Sequence, residues 1–276
     1  MRTRRFGSTQ VSVPVIGIGT WNMERDDRVK AIAAIRRALE LGMTHVDTAE
    51  MYGSGKVETL VGEAIAGQRD KVYLVSKVLP RNATRAGTIK ACEASLRRLG
   101  VDHLDCYLLH WREDVPLAET FAAFETLREQ GKIRAWGVSN FDDRDLAEAL
   151  AIVGPGKIAC NQVLYHLGER TIEHKVIPWC AQHDIAVVAY SPFGSRDGFP
   201  QSRPLEALAR GMGVTPRQVA LAFLTREANV FAVPKSSQPA HVEELAGADT
   251  VRMNGDAIGA IDATFPVAPW TGLPTL

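Results

Sequence analysis

In the stretch V-D-T-A-E-M-Y-G-S-G-K-V-E, Val46 to Glu58, a carboxylate, Asp47, precedes a phenol, Tyr52, inside a turn punctuated by Gly53 and Gly55. Two more proton-carrying side chains close apolar runs in the same way: Lys77 after V-Y-L-V-S and His110 after D-C-Y-L-L. These four residue types have a joint use, proton donation to a carbonyl oxygen. A phenol with a pKa of about 10 is a poor acid at pH 7. An ammonium beside its oxygen favours the phenolate and lowers that pKa, and a carboxylate that pins the ammonium keeps it charged and oriented. A neutral imidazole donating to the same carbonyl stabilises the developing alkoxide. Asp47, Tyr52, Lys77 and His110 are therefore expected to form one catalytic group that requires no metal. Singly, each has a plainer alternative: a helix N-cap, a loop aromatic, a solvated charge at a strand end and a hydrogen-bonded core histidine.

The elements that would bring the four together are eight apolar runs: Val15 to Gly19, Thr44 to Asp47, Val72 to Lys77, Leu104 to His110, Ile133 to Ser139, Ile158 to Gln162, Ile185 to Tyr190 and Val230 to Pro234. Between them the spacing is helical. Ile89, Cys92, Leu96 and Leu99 share a face before Gly100; Leu117, Phe121, Phe124 and Leu127 do so before Gly131, and Ile32, Ile35 and Leu39 before Gly42. Glycine at these points fits a helix C-cap. The runs are too continuously apolar to leave one sheet face in water, which favours a parallel sheet covered by helices. Eight such units without a linker over residues 1–276 predict an α/β fold, a single-domain (β/α)8 barrel. A polar opening around Ser8 to Val13 reads as a short N-terminal hairpin capping the barrel bottom. In a barrel, chemistry sits at the carboxyl ends of strands. Here those ends read Asp47, Lys77, His110, Ser139-Asn140, Gln162, Tyr190 and Lys235.

Composition narrows the class. The chain has 276 residues, with 32 basic and 32 acidic side chains. A chain of this length buries roughly three quarters of its unfolded surface, so its core needs no disulfide or metal support. The balanced charge points to no nucleic-acid or anionic-membrane partner. The start M-R-T-R-R-F-G-S-T-Q runs into polar residues, unlike a secretory signal, and no apolar run approaches a bilayer span of about 20 residues. A cytoplasmic protein and reduced core thiols at Cys92, Cys106, Cys160 and Cys180 are the expectation, since no C-x-x-C pair occurs.

Several familiar motifs are approached and missed. Gly17 and Gly19 start a G-x-G-x-x-G turn, but Asn22 replaces the last glycine and Trp21 is too bulky for close phosphate approach. Gly55-Lys56 imitates a P-loop with Glu50 at its leading glycine and Val57 at its Ser/Thr. The G-x-S-x-G elbow fails at Phe141.

Eight ordered segments carry a resemblance to the aldo-keto reductases, of the small bacterial type: G-I-G-T-W, D-T-A-E-M-Y-G, L-V-S-K, D-C-Y-L-L-H-W, G-K-I-R-A-W-G-V-S-N-F, N-Q-V-L-Y-H, A-Y-S-P-F-G and V-P-K-S-S. The resemblance implies a barrel that binds NAD(P)H without a Rossmann turn, with the catalytic tetrad on Asp47, Tyr52, Lys77 and His110 and with Tyr52 as general acid. It implies that Ser139, Asn140 and Gln162 hold the carboxamide and that Tyr190 stacks on the nicotinamide. Gly19, Thr20 and Asp47 would line the same cleft, and Ser191, Phe193 and Ser195 would approach the pyrophosphate. Lys235 and Ser236 match the grip on a 2′-phosphate, which implies NADPH. His241 stands where an arginine is common; Glu244 is retained and Leu245 replaces a frequent asparagine. An imidazole cannot clamp phosphate bidentately, so NADH should be usable as well. Trp21 and Trp111, with Tyr52 and His110, would contact substrate.

The implied activity is hydride transfer from NADPH to an aldehyde, an α-dicarbonyl of the methylglyoxal kind or a ketone, by a monomer whose partner is a small carbonyl compound. Short loops, and a tail ending soon after Pro266–Trp270, suggest an open mouth. Two alternatives remain: a Schiff-base aldolase using Lys77 as nucleophile, and a nicotinamide-binding regulatory subunit on the same barrel.

Overall fold

The computed structural model describes residues 1–194, 198–200 and 202–276. The chain opens with an antiparallel pair, β1 (Thr3–Arg5) and β2 (Ser12–Pro14), in which Arg4 faces Val13. The two arms flank the polar stretch, which forms the reversal between Phe6 and Val11, so the hairpin begins earlier than the residue pattern suggests. Phe6 is fully buried, and the rings of His45, Tyr73 and Phe231 lie 5.7, 5.1 and 5.1 Å from it. These are residues at the amino ends of barrel strands. The hairpin therefore plugs the bottom.

Eight parallel strands follow: β3 (Ile18–Gly19), β4 (His45–Asp47), β5 (Tyr73–Val78), β6 (Leu104–Leu109), β7 (Ile133–Ser139), β8 (Ile158–Leu164), β9 (Ala186–Tyr190) and β10 (Val230–Ala232). The seam between first and last is closed by Gly17 N–H to Ala232 O at 2.8 Å and Gly19 N–H to Pro234 O at 2.9 Å. A Cβ on Gly17 would fall 2.4 Å from His45 O of the neighbouring β4, and one on Gly19 would fall 2.5 Å from Val233 O across the seam. The G-x-G pair thus serves close strand approach, which explains why it lacks the third glycine of a phosphate loop.

Helices cover the outside: α1 (Arg28–Glu40), α2 (Lys56–Ile65), α3 (Arg85–Leu99), α4 (Leu117–Glu129), α5 (Asp143–Val153), α6 (Val176–Gln182), α7 (Arg203–Gly211), α8 (Pro216–Leu224), α9 (Pro239–Gly247) and α10 (Gly255–Thr264). Local signals set their ends. Thr84 caps α3 by accepting from Gly87 N–H at 3.1 Å, and Gly100 ends it with φ 66°. Leu117, Phe121, Phe124 and Leu127 form the buried face of α4.

Strand alternation divides the core into two shells. Tyr73 and Val75, Cys106 and Leu108, Ala186 and Val188, and Phe231 and Val233 fill the barrel interior. Their neighbours Leu74, Tyr107, Val187 and Ala232 pack outward against the helices. Two residues beyond each inner pair stand Lys77, His110, Tyr190 and Lys235. The same pleat that fills the lumen thus delivers these four side chains to its upper rim. All four cysteines are buried and free.

Candidate active site

The carboxyl ends of the strands surround a cleft of about 740 Å³. Its lining includes Gly19, Thr20, Trp21, Asp47, Tyr52, His110, Trp111, Ser139, Asn140, Gln162, Tyr190, Ser191, Phe193 and Lys235. Lys77 lies just beneath it, without solvent exposure. Its ammonium donates to Asp47 Oδ1 at 2.7 Å, Thr48 O at 2.9 Å and the Tyr52 hydroxyl at 3.3 Å. Three protons find three acceptors.

Each of these side chains is aimed by backbone around it. Asp47 ends β4, and its carbonyl accepts from the Thr20 hydroxyl at 2.8 Å. Tyr52 opens a turn whose Gly53, Ser54 and Gly55 have φ of 55°, 53° and 89°. A Cβ on Gly53 would meet Glu24, and one on Gly55 would meet Arg98. Arg98 is in turn held by the buried Glu58 at 2.6 Å, so the turn that carries the phenol is backed by an ion pair between α2 and α3. His110 follows β6, its N–H bonded to Val78 O at 3.0 Å. Its ring lies 5.9 Å from that of Tyr52 and 5.0 Å from that of Trp111.

Burial sets the charge states. His110 is held well below the ordinary imidazole range by burial first and by the Lys77 ammonium second, so it is neutral at pH 7. Burial also works against charge on Lys77, but Asp47 and Tyr52 outweigh it and the ammonium is held above its usual range. A nucleophilic amine must be neutral, so this environment opposes Schiff-base chemistry. For Tyr52 the outcome reverses the expectation of an acidified phenol. Burial pushes its pKa up, Lys77 pulls it down, Asp47 adds to the rise, and the net shift is upward. The phenol is therefore kept protonated at neutral pH, with the Lys77 ammonium 3.3 Å from its oxygen.

On the far side, Gln162 donates to Asp47 Oδ2 at 2.8 Å. Ser139 Oγ donates to Gln162 O at 2.8 Å. Asn140 has φ 59°, unusual for a residue with a Cβ. It is held there by its N–H to Gln162 O at 2.9 Å, by Nδ2 to His110 O at 3.1 Å and by the Tyr190 hydroxyl donating to its Oδ1 at 2.9 Å. Hydrogen bonding on all sides maintains the strain.

Other expected positions divide. Trp21 is 41% exposed and Trp111 half-buried; both line the cleft, and neither is a core residue. Phe193 lines it while packing on Phe199 at 5.7 Å. Ser195 lies outside the described residues. Ser236 turns away, its hydroxyl donating to Gln238 O at 3.2 Å. Ser237 instead donates to Asp26, as does Lys235. His241 and Glu244 sit on α9, His241 exposed, and neither is among the residues lining the cleft. Asn22, Met51, Pro192, Gly194, Val233 and Leu276 line it without having been expected. Leu276 shows that the tail reaches the mouth, against the expectation that a short tail leaves it uncovered.

Comparison with known proteins decides the family. The sequence model described as the Aldo/keto reductase family matches residues 15–265. The chain belongs to this family. Methylglyoxal reductase YeaE of Escherichia coli K12 is 45% identical over 265 residues, 94% of this chain and 93% of the relative. Methylglyoxal reductase DkgB of Escherichia coli O157:H7 is 30% identical over 95% of this chain and 98% of its own length. A crystal structure of an aldo-keto reductase from Klebsiella pneumoniae in complex with NADPH superposes with a TM-score of 0.94 at 44% identity, covering 100% of this chain and 99% of the other. As an aldo-keto reductase the chain is an oxidoreductase, and its (β/α)8 barrel is the fold of these neighbours.

Proposed function

We propose that this aldo-keto reductase uses NADPH to reduce aldehydes and α-dicarbonyls such as methylglyoxal, and ketones, with Tyr52 as general acid. The observation that carries this reading is the buried Lys77 ammonium, bonded at once to Asp47 and Tyr52 beneath the cleft. The relatives add support, two being named methylglyoxal reductases and one having been crystallised with NADPH. The donor set fits such a cofactor at both ends. Ser139, Asn140, Gln162 and the Tyr190 ring suit a carboxamide and a flat heterocycle. At the other end Lys235 and Ser237 already gather an anion, the Asp26 carboxylate.

A bound nicotinamide would supply the hydride. The protein's own residues would then place the substrate carbonyl between Tyr52 and His110, with Trp21 and Trp111 as its walls. Neutral His110 donates to the carbonyl oxygen, and Tyr52 transfers its proton as negative charge develops there. Lys77 neutralises the resulting phenolate, while Asp47 holds Lys77 in position. The same steps reversed oxidise an alcohol. The complete tetrad supports catalysis over a purely regulatory role. The test follows absorbance loss of NADPH and of NADH separately with methylglyoxal, an aromatic aldehyde and a keto sugar. Turnover of methylglyoxal with NADPH supports the reading; no turnover of any carbonyl with either cofactor rejects it.

A further inference from the structure

The loop between β3 and α1 contains two adjacent aspartates with different tasks. Asp27 caps α1, its Oδ1 accepting from Lys30 N–H at 2.9 Å. Asp26 points elsewhere. One of its oxygens, Oδ2, accepts from both the Lys235 ammonium and the Ser237 hydroxyl, residues more than 200 positions away in sequence, on the segment that follows β10. Lys235 also pairs with Gly19 across the barrel seam and lines the cleft. A cation and a hydroxyl converging on a single anionic oxygen are the partners a phosphate oxygen would take.

We propose that Asp26 is a built-in occupant of the phosphate seat at Lys235 and Ser237, which the 2′-phosphate of NADPH must displace, so that Asp26 sets the balance between NADPH and NADH. The inference rests on the reading that the adenosine end of the cofactor reaches Lys235. Two anions cannot share one lysine and one hydroxyl without repulsion. A ribose 2′-hydroxyl differs, because it has a proton to give and a carboxylate can accept it while keeping its ion pair. Carboxylates play this part toward the ribose in the unrelated dinucleotide-binding sheets. The carboxyl is ionised at neutral pH: burial works against its charge, but Lys235 and Ser237 outweigh it and hold it below its usual range. Ser236, bonded to Gln238, contributes nothing to this seat. NADPH therefore gains Lys235 only after Asp26 leaves, whereas NADH binds with the clasp intact.

The experiment measures binding, not turnover. Intrinsic fluorescence or calorimetric titrations of the full chain with NADPH, NADH and adenosine 2′,5′-bisphosphate compare the unmodified protein, Asp26→Asn, Asp26→Ser and Lys235→Met. Both Asp26 variants should tighten NADPH and adenosine 2′,5′-bisphosphate by about tenfold and leave NADH unchanged or weaker. Lys235→Met should weaken the two 2′-phosphorylated ligands selectively. If Lys235→Met discriminates as stated but neither Asp26 variant tightens them, Asp26 is only a tether between two loops and the proposal fails alone. If Lys235→Met leaves the preference for 2′-phosphorylated ligands unchanged, the phosphate lies elsewhere and the underlying reading fails with it.

Discussion

Gln162 and Asp47 are hydrogen-bonded across the mouth of the barrel at 2.8 Å, although their strands, β8 and β4, stand four places apart in a ring of eight. One amide proton thus links opposite walls. With Lys77 on the other carboxylate oxygen, Asp47 is held from two directions and cannot turn away from the ammonium.

Replacing Gln162 by Leu should leave Asp47 Oδ2 buried without its donor. Such a loss costs about 1 to 3 kcal/mol. Urea unfolding should show a lower midpoint with an unchanged slope; an unchanged midpoint would mean that this bond does not bear on stability.

Stability should fall with pH in a window set by histidines. His45 is fully buried and its pKa is held down to about 4, by burial first; Lys77 adds to the effect, and Asp47 and Asp105 oppose it. His110 is displaced in the same direction. In the unfolded chain an imidazole takes up a proton near pH 6.5, so below that pH the unfolded state binds more protons and is favoured. Between pH 6.5 and 5 the loss from His45 alone is about 2 kcal/mol, and His110 adds to it in the same direction. Unfolding free energies at the two pH values should differ accordingly, and His45→Leu should flatten the dependence whatever its stability at pH 7.

His241→Arg should tighten NADPH by about 1 to 3 kcal/mol while leaving NADH nearly unchanged, because a guanidinium can clamp a 2′-phosphate from the exposed first turn of α9. Fluorescence titration reads both constants. An unchanged NADPH affinity would place the phosphate out of reach of α9.

Much of this was legible in the residues. Apolar runs too continuous for a half-wet sheet, six of the eight ending in a polar side chain, announced both the barrel and the residues at its rim. The pleat makes this possible: Tyr73, Val75 and Lys77 alternate inward along one strand, so a core pattern and a reactive residue share one register. What was hidden depends on contacts between distant segments. Nothing near M-E-R-D-D-R says that Asp26 rather than Asp27 meets Lys235, since both suit a helix cap. Ser236 and Ser237 are neighbours, and only loop geometry decides which meets Asp26. Two opposed effects act on Tyr52, and their sum follows from depth of burial, which a motif does not encode.

The central claim is that the Tyr52 hydroxyl supplies the proton. Its most direct test is the rate of methylglyoxal reduction by NADPH in Tyr52→Phe, with cofactor affinity measured alongside. The ring remains and only the oxygen is lost, so NADPH should bind as before while turnover falls by about 10² to 10⁴-fold. Turnover equal to that of the unmodified protein would contradict the assignment of Tyr52, whatever the fold.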